Sequence, residues 1–415
     1  MSAFQGHHAG NHFGTTATDG ISARPTEDAA LNTTSLLRHI NARRCLRLLQ
    51  NGRQLSRADM ARQLGLTRAT IGNAMRVLLE AGLVVESAEM SPGSRKGRPG
   101  VGVTLNPSGA YFVGADVGTR LLTGVLLDLQ MNVVCRIVEP TGPSYRDAEH
   151  ISARLISLIE RILKENPALQ DKVEGIGISV PGLVGRDGSV INAPFLEWRN
   201  YPLQTELIDK SPADWSVLVC NDAFAFASAE LAASATAKAG SMLVVLLAEG
   251  IGGAIVDDGR VATGAHGYSG EIGHTIVSAG GRVDTFEMLA GAKHFSRLFE
   301  EGQPVADGVQ MLLASAGRKE VDAALDAWVS GLAAGLVNAI HLLDPGRIVL
   351  GGPLAGLFPK LGRRIQADIK RRLLAGFAMP EIRVAQFGAD GAAIGAAATI
   401  RDTLFALPDL ESNTL

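Results

Sequence analysis

Hydrophobic residues between positions 33 and 64 follow the spacing of two amphipathic helices. Thr33-Thr34 can cap the first helix, and its predicted buried face consists of Leu36, Leu37, Ile40, Leu46 and Leu49. Ser56-Arg57-Ala58-Asp59 resembles a capping box in which Asp replaces the usual Glu or Gln, and it opens a helix that runs to Leu64. Gly65 then makes the turn into a third helix.

The third predicted helix, which Thr67 caps and Gly82 ends, has two different faces. One face is an apolar stripe at i, i+4, i+7 and i+8, formed by Ile71, Met75, Leu78 and Leu79. The opposite face is mainly polar and carries Arg68, Thr70, Gly72, Asn73 and Arg76. Segments 83–86 and 101–105 alternate weakly, as two wing strands would. Residues 31–105 are therefore predicted to form a winged helix-turn-helix domain.

From residue 106 onward, apolar strands alternate with helices. The predicted strands are 111–118, 121–129, 133–138, 173–180, 217–220, 241–247, 252–256 and 347–350, and the predicted helices are 148–164, 321–343 and 392–403. Because the order starts again near residue 241, the pattern predicts an α/β fold of two similar halves with a ligand in the cleft between them. We assign the halves to residues 106–228 and 229–415.

Charge is distributed unevenly along the 415 residues. Residues 38–100 contain 12 Lys and Arg against 4 Asp and Glu, a net of +8, so the overall −3 leaves −11 on the rest of the chain. A basic N-terminal domain on an acidic body suggests that only this domain meets a polyanion.

Three classes of protein are disfavoured by composition. No run of about 18 apolar residues occurs, so we expect no membrane span. Residues 1–30 lack the apolar core of a secretory signal and are expected to form a disordered tail. Cys45, Cys135 and Cys220 are scattered without CxxC spacing, which argues against a disulfide framework and fits a reducing cytoplasm.

Double-stranded DNA is the polyanion that the basic domain would suit. Side chains near the start of the third helix can enter a major groove, and the three cations on the Gly/Pro-rich segment 91–100 can follow phosphates or enter a minor groove. The candidate DNA contacts are Thr67, Arg68, Thr70, Asn73, Arg76, Arg95, Lys96 and Arg98. The alternative is a helical hairpin followed by a solvated, charged linker.

Six ordered segments of the body resemble the ROK family, named for repressors, open reading frames and kinases. They are Val113–Gly118, Ile178–Gly182, Asn221–Ala223, Gly250–Gly253, Gly270–His274 and Leu343–Gly352. The predicted winged helix matches the repressor branch. The resemblance implies a two-lobed, actin-like (ribonuclease H-like) body, and a homodimer or homotetramer whose paired helices read operator half-sites about one DNA turn, or a multiple of it, apart.

Both phosphate loops of the family's kinases are altered here. The first has the form Asp-x-Gly-Gly-Thr in the kinases, whereas this chain has Thr119 at the second Gly and Arg120 at the Thr. The second is Gly-Thr-Gly-Ile-Gly-Gly, and here Glu249 puts a carboxylate where a polyphosphate would dock. We therefore expect no ATP binding, no enzyme activity and no cofactor.

The sugar-binding positions of the family are better kept. Asp222 matches the kinases' general base, and Asn221, Glu271, His274 and Glu287 match or lie beside residues that reach sugar hydroxyls. Phe195 stands where the family has a sugar-contacting Asn, so specificity is expected to differ. The alternative is that the two acidic residues Asp222 and Glu271 are surface or capping residues and His274 is a core histidine.

Zinc is the remaining family feature to consider. Many members place the counterpart of His274 and three downstream cysteines around a structural zinc. Residues 275–287 contain no Cys, so a tetrahedral site would have too few ligands and we expect no metal.

These features together predict a cytoplasmic, sugar-responsive transcriptional regulator of carbohydrate-metabolism genes, a repressor rather than an activator. Its partners would be operator DNA and a sugar or sugar derivative. Two alternatives remain open: an active ATP-dependent sugar kinase with an added DNA-binding domain, and a DNA-binding protein whose sensor no longer responds.

Overall fold

The N-terminal unit of the computed structural model contains three helices and a three-stranded antiparallel sheet. The structure describes residues 33–50, 52–87, 101–211, 215–233 and 240–405. The elements are α1 (Thr33–Leu49), β1 (Leu55–Ser56), α2 (Arg57–Leu64), α3 (Arg68–Glu80), β2 (Val84–Ser87) and β3 (Gly102–Leu105), with the strand order β1-β3-β2. The predicted tail at 1–30 and the predicted cations Arg95, Lys96 and Arg98 lie outside the described residues.

Local capping explains where the two short helices begin. The Ser56 hydroxyl accepts a hydrogen bond from the Asp59 backbone N–H at 3.1 Å, and Gly65 ends α2 in the left-handed region at φ 65°. Thr67 caps α3 by accepting from the Thr70 backbone N–H at 3.1 Å. The apolar stripe of α3 enters the core of this unit, with Ile71, Met75 and Leu78 buried and Leu79 half-buried.

The first lobe is built on a mixed five-stranded sheet. Its elements are β4 (Tyr111–Val117), β5 (Leu121–Asp128), β6 (Val133–Pro140), α4 (Ala148–Glu165), β7 (Val173–Val180), β8 (Leu183–Val184), β9 (Val190–Ala193), β10 (Trp198–Tyr201), α5 (Leu203–Lys210), β11 (Ser216–Asn221) and α6 (Asp222–Ala233). The strand order is β11-β7-β4-β5-β6, and β10-β9-β8 form a small separate sheet. The β4–β5–β6 pairings are antiparallel, whereas β7 and β11 add in parallel.

The second lobe repeats this topology. Its elements are β12 (Met242–Leu247), β13 (Ile251–Asp257), β14 (Arg260–Val261), β15 (Ile276–Ala279), β16 (Arg282–Thr285), α7 (Phe286–Ala290), α8 (Val305–Ala314), α9 (Lys319–Leu343), β17 (Arg347–Gly351), α10 (Phe358–Arg372), β18 (Glu381–Val384) and α11 (Gly391–Leu404). The order β14-β13-β12-β17-β18 has the same antiparallel and parallel pairings as the first sheet. The prediction of an α/β body of two similar halves is confirmed.

The closing helix α11 packs on the first lobe, although its sequence follows the second. Glycines permit the close approach: a Cβ at Gly177 of β7 would lie 2.0 Å from the Ala396 carbonyl oxygen, and a Cβ at Gly395 would lie 1.6 Å from the Ala225 carbonyl oxygen. Helices α6 and α11 are therefore in backbone contact, and α11 covers the first sheet.

Helix α9 has the length and apolar composition of a membrane span, alone among the helices that the structure describes. Of its most apolar 18-residue stretch, 67% is buried inside the second lobe. Trp328, Leu332 and Leu336 are fully enclosed there. This packing is that of a core helix.

The N-terminal unit is joined to the body at two places. Strand β3 leads through a short 3-10 turn into β4, and the Gln130 side-chain amide donates to the Leu105 carbonyl oxygen at 2.8 Å. The Gln50 amide at the end of α1 donates to the Asp402 carboxylate of α11 at 3.0 Å. Buried residues of the N-terminal unit and of α11, such as Leu49 and Ile400, belong to one continuous hydrophobic cluster.

Candidate functional site

Asp222 lies at the first position of α6, immediately after the carboxyl end of β11. Its Oδ1 accepts from the Ala223 backbone N–H at 2.8 Å. A Cβ at Gly252 on β13 would lie 4.0 Å from the same oxygen, so the second lobe passes directly beside this carboxylate. Asp222 is therefore placed in the cleft between the lobes.

Burial and neighbouring carboxylates perturb the ionisation of Asp222. Burial, followed by repulsion from Asp116 and Glu271, raises its pKa to about 7 against the hydrogen bond from Ala223. Burial also raises the pKa of Asp116 to about 6, although the Ser179 hydroxyl donates to Asp116 at 2.7 Å and opposes this shift. Two carboxyl groups with raised pKa values in one cleft are typical of a functional site.

Glu271, His274 and Glu287 form a second group opposite Asp222. His274 Nε2 lies 3.8 Å from Glu271 Oε2, and its Nδ1 lies 3.9 Å from Glu287 Oε1. Burial raises the pKa of Glu271, with His274 opposing and Glu287 adding to the shift. The His274 side chain is 59% exposed, so it is a cleft residue rather than a core histidine.

The two remaining predicted sugar residues have different surroundings. The Asn221 amide donates to the Gly182 carbonyl oxygen at 2.9 Å and accepts from the Phe224 backbone N–H at 3.0 Å. Asn221 is thus engaged in holding the start of α6. Phe195 is half-buried, and a Cβ at Gly250 would lie 3.0 Å from its ring and 2.8 Å from Glu287 Oε2. Phe195 therefore borders the carboxylate group.

Next to Phe195 the cleft opens into a cavity of about 460 Å³. It is lined by Thr119, Arg120, Gly142, Tyr145, Phe195 and Glu249. Arg120 does not form an ion pair with Glu249 in the structure. Its guanidinium instead donates to the Gln303 carbonyl oxygen in the other lobe, at 3.2 Å.

The altered phosphate loops make hydrogen bonds within the protein. The Gly118 backbone N–H donates to the Leu121 carbonyl oxygen at 2.9 Å, and the Ala248 N–H donates to the Gly250 carbonyl oxygen at 3.0 Å. A phosphate-binding loop needs its N–H groups directed at the ligand. These two N–H groups are therefore not free for a ligand, and the carboxylate of Glu249 at the cavity wall disfavours polyphosphate at this position.

The polar face of α3 forms a separate candidate surface on the N-terminal unit. Arg68, Asn73 and Arg76 are exposed. The Thr67 and Thr70 hydroxyls lie 2.9 Å apart and are engaged in the cap, which lowers their capacity to bind an outside group. The assignment of this face to DNA remains a prediction.

Three residues of the cleft were not identified from the sequence. The sequence pattern indicates Asp116 only as part of a phosphate turn and does not indicate Tyr145 or Lys293. The Lys293 ammonium lies 5.9 Å from the centre of the Phe195 ring. No local pattern marks Tyr145, on a turn before α4, or Lys293, on a 3-10 helix after α7, because only the fold brings these distant segments together. Within the described ranges, no group of three or more His, Cys, Asp or Glu residues is arranged to hold a metal ion.

Comparison with known proteins covers almost the whole chain. The ROK family model matches residues 112–403. The xylose repressor of Bacillus subtilis strain 168 is 24% identical over 381 residues, covering 89% of this chain and 96% of that protein. The DNA-binding transcriptional repressor Mlc of Escherichia coli K12 is 24% identical over 394 residues, covering 89% and 94%.

Solved structures give the same result for the fold. A ROK family transcriptional regulator, described as a homologue of E. coli Mlc, has a TM-score of 0.72 at 25% identity and covers 89% of this chain. The ROK hexokinase of Thermus thermophilus has a TM-score of 0.56 at 27% identity and covers 70% of this chain and 97% of its own. The fold and the family model agree, and the chain belongs to the ROK family.

Proposed function

We propose that this chain is a transcriptional repressor of carbohydrate-metabolism genes whose body binds a sugar or sugar derivative in the interlobe cleft. The observation that carries this proposal is the contrast within the cleft. The carboxylates of Glu271 and Glu287 lie beside His274. The position that matches the second phosphate loop of the family's kinases instead carries Glu249. A polyol needs many hydrogen-bond acceptors and a few donors, and the group of Glu271, His274 and Glu287 supplies them.

The N-terminal unit would be a winged helix-turn-helix, with α3 as the recognition helix and β2 and β3 as the wing. Exposed Arg68 and Asn73 near the start of α3 suit guanine and adenine edges, and Arg76 suits phosphate. The relatives named as repressors match about nine tenths of this chain, whereas the hexokinase matches 70% of it. That difference in coverage supports a DNA-binding role for residues outside the body.

Within the cleft each residue has a proposed role. Asp222 accepts from a sugar hydroxyl, Glu271 and Glu287 accept from further hydroxyls, and His274 donates or accepts between them. Phe195 offers a ring face to the sugar. Because both hydrogen-bonding atoms of the Asn221 amide have protein partners, its role would be to hold Asp222 rather than to select the ligand.

Ligand binding could reach DNA through two helices. Helix α6 begins at Asp222 and contacts α11 backbone to backbone, and α11 meets α1 through the Asp402–Gln50 hydrogen bond. A sugar that favours one arrangement of the lobes would thereby favour one position of the recognition helix. In a homodimer or homotetramer the spacing between paired helices would change, which sets affinity for an operator of fixed half-site spacing.

A sugar kinase is the second candidate, and one observation favours it. The raised pKa of Asp222, about 7, is close to the value that suits a general base at neutral pH. The Glu249 carboxylate opposes ATP at the neighbouring position. Incubation with Mg-ATP and a panel of sugars, followed by detection of sugar phosphate, distinguishes the two candidates.

The repressor proposal is tested by selection from randomised duplex DNA with the full-length chain. We expect enrichment of a two-fold symmetric site with half-sites about one helical turn, or a multiple of it, apart. A repeat of the selection in the presence of single sugars should identify one that changes the recovered amount. Failure to enrich any sequence, with the chain folded, would contradict the proposed function.

A further inference from the structure

The cavity beside Phe195 is an unassigned part of the cleft. Phe195 lines the cavity, and a Cβ at Gly250 would lie within 3.0 Å of both the Phe195 ring and Glu287 Oε2, so the cavity adjoins the carboxylate group. Its volume of about 460 Å³ lies in the range of about 300–1,000 Å³ that small-molecule sites occupy. The lining residues indicate which chemistry would fill it.

Two aromatic rings line this cavity, and their loops are tied together. The Trp198 indole N–H, three residues beyond Phe195, donates to the Tyr145 carbonyl oxygen at 3.2 Å. Arg146 lies over the Tyr145 ring at 5.1 Å and pairs with Glu197 at 3.0 Å. The Trp198–Tyr145 hydrogen bond thus joins the two segments that carry the rings. A sugar ring presents C–H groups that pack on an aromatic face.

The polar lining is balanced in charge and in hydrogen-bonding type. Arg120 donates, Glu249 accepts, and the Thr119 hydroxyl can do either. A phosphate on the ligand would meet the Glu249 carboxylate, whereas a neutral ring with several hydroxyls finds a partner in each of these groups.

We propose that this cavity is a second sugar subsite, so that the chain binds a neutral disaccharide with one ring on the carboxylate group and the other between Tyr145 and Phe195. This inference rests on the proposed sugar-binding function and extends it from one ring to two. Arg120 and Glu249, which replace the phosphate-binding pattern of the family's kinases, become hydroxyl partners of the second ring.

Calorimetric titration of the full-length chain tests the subsite. The probes are D-glucose, D-xylose and N-acetyl-D-glucosamine, their β-1,4-linked disaccharides cellobiose, xylobiose and chitobiose, and glucose 6-phosphate. We expect one disaccharide to bind at least about tenfold more tightly than its monosaccharide, the equivalent of about 1.4 kcal/mol.

Variants of cavity residues then test whether the tighter binding of the disaccharide depends on the cavity. Tyr145→Ala removes a ring contact and Glu249→Gln removes a charged hydrogen bond, so each variant should lower disaccharide affinity about tenfold. Monosaccharide affinity should stay within about twofold of the parent's. Tyr145→Phe keeps the ring and should retain most of the affinity. Glu160→Gln, an exposed carboxylate on α4, is the matched control and should change neither.

The possible failures have different meanings. Equal affinity for monosaccharide and disaccharide, a preference for glucose 6-phosphate, or insensitivity of disaccharide binding to both cavity variants overturns the second subsite and leaves sugar sensing intact. No binding of any probe overturns the sugar-binding proposal together with the subsite.

Discussion

Replacing Asp222 by Asn should stabilise the protein at neutral and alkaline pH. In the folded chain the pKa of Asp222 is raised to about 7 from an ordinary value of 3.8, mainly by burial and then by Asp116. Between these two values the unfolded chain has lost a proton that the folded chain retains. The free energy of unfolding therefore falls as the pH rises through this window, and stays reduced above it. Asn cannot ionise, which removes this loss.

The magnitude follows from the size of the shift. About three pKa units at 1.36 kcal/mol each give an upper limit of about 4 kcal/mol at pH 8. Asp222 keeps part of its surface in contact with water, and Asp116 and Glu271 share the repulsion, so we expect about 1–2 kcal/mol. The Asn side-chain oxygen can still accept from the Ala223 N–H and preserve the start of α6.

Thermal unfolding of the full-length protein from pH 4 to pH 8 measures this effect. The melting temperature of Asp222→Asn should equal that of the parent near pH 4 and exceed it by about 1–2 °C at pH 8, at about 1 °C per kcal/mol for a chain of this length. Asp171→Asn, at an exposed position, is the control and should show no such divergence. A variant that is less stable than the parent at pH 8, or a difference that does not depend on pH, would refute the reasoning.

Three further predictions concern packing, DNA and nucleotide. Gly395→Ala should lower the free energy of unfolding, measured in urea, by about 1–3 kcal/mol, because the new Cβ would meet the Ala225 carbonyl oxygen. Gly388→Ala, where the new Cβ would meet open space, is the control and should cause no such loss. Arg68→Ala or Asn73→Ala should weaken operator binding by about 1–3 kcal/mol and relax base preference. Arg98→Ala should instead weaken binding to all sequences and reduce its salt dependence. If all three variants bind the operator like the parent in gel-shift titrations, the assignment of these residues to DNA is wrong. Calorimetry with Mg-ATP should show no heat of binding, and micromolar affinity would contradict our interpretation of both loops.

The elements that local signals define were predicted well. The caps at Ser56 and Thr67 lie where the pattern placed them, and the long strands of both lobes agree within two residues. The pattern does not predict the small β8–β10 sheet, because two- to four-residue strands carry little periodic signal. It also omits helices α6, α8 and α10, although Leu361, Ile365 and Ile369 are buried at helical spacing along the 15 residues of α10.

The cleft could be predicted only in part. Motif order indicated Asp222, Glu271 and His274 as one group, and the structure places them in one cleft. Tyr145 and Phe195 line one cavity, and Asp116 raises the pKa of Asp222, only because the fold brings segments that are distant in sequence close together. Sequence spacing does not contain that information.

The central claim is that sugar occupancy of the cleft controls DNA binding. The most direct measurement is fluorescence anisotropy of a labelled operator duplex, obtained by the selection described above, titrated with the full-length chain with and without the sugar that changes its recovery. We predict that the sugar shifts the DNA dissociation constant of the parent by about 5- to 150-fold. His274→Ala should bind the operator like the parent and show no shift at the parent's effective sugar concentration. A His274→Ala protein that answers to the sugar at that concentration, or that is folded but no longer binds the operator, would contradict the account.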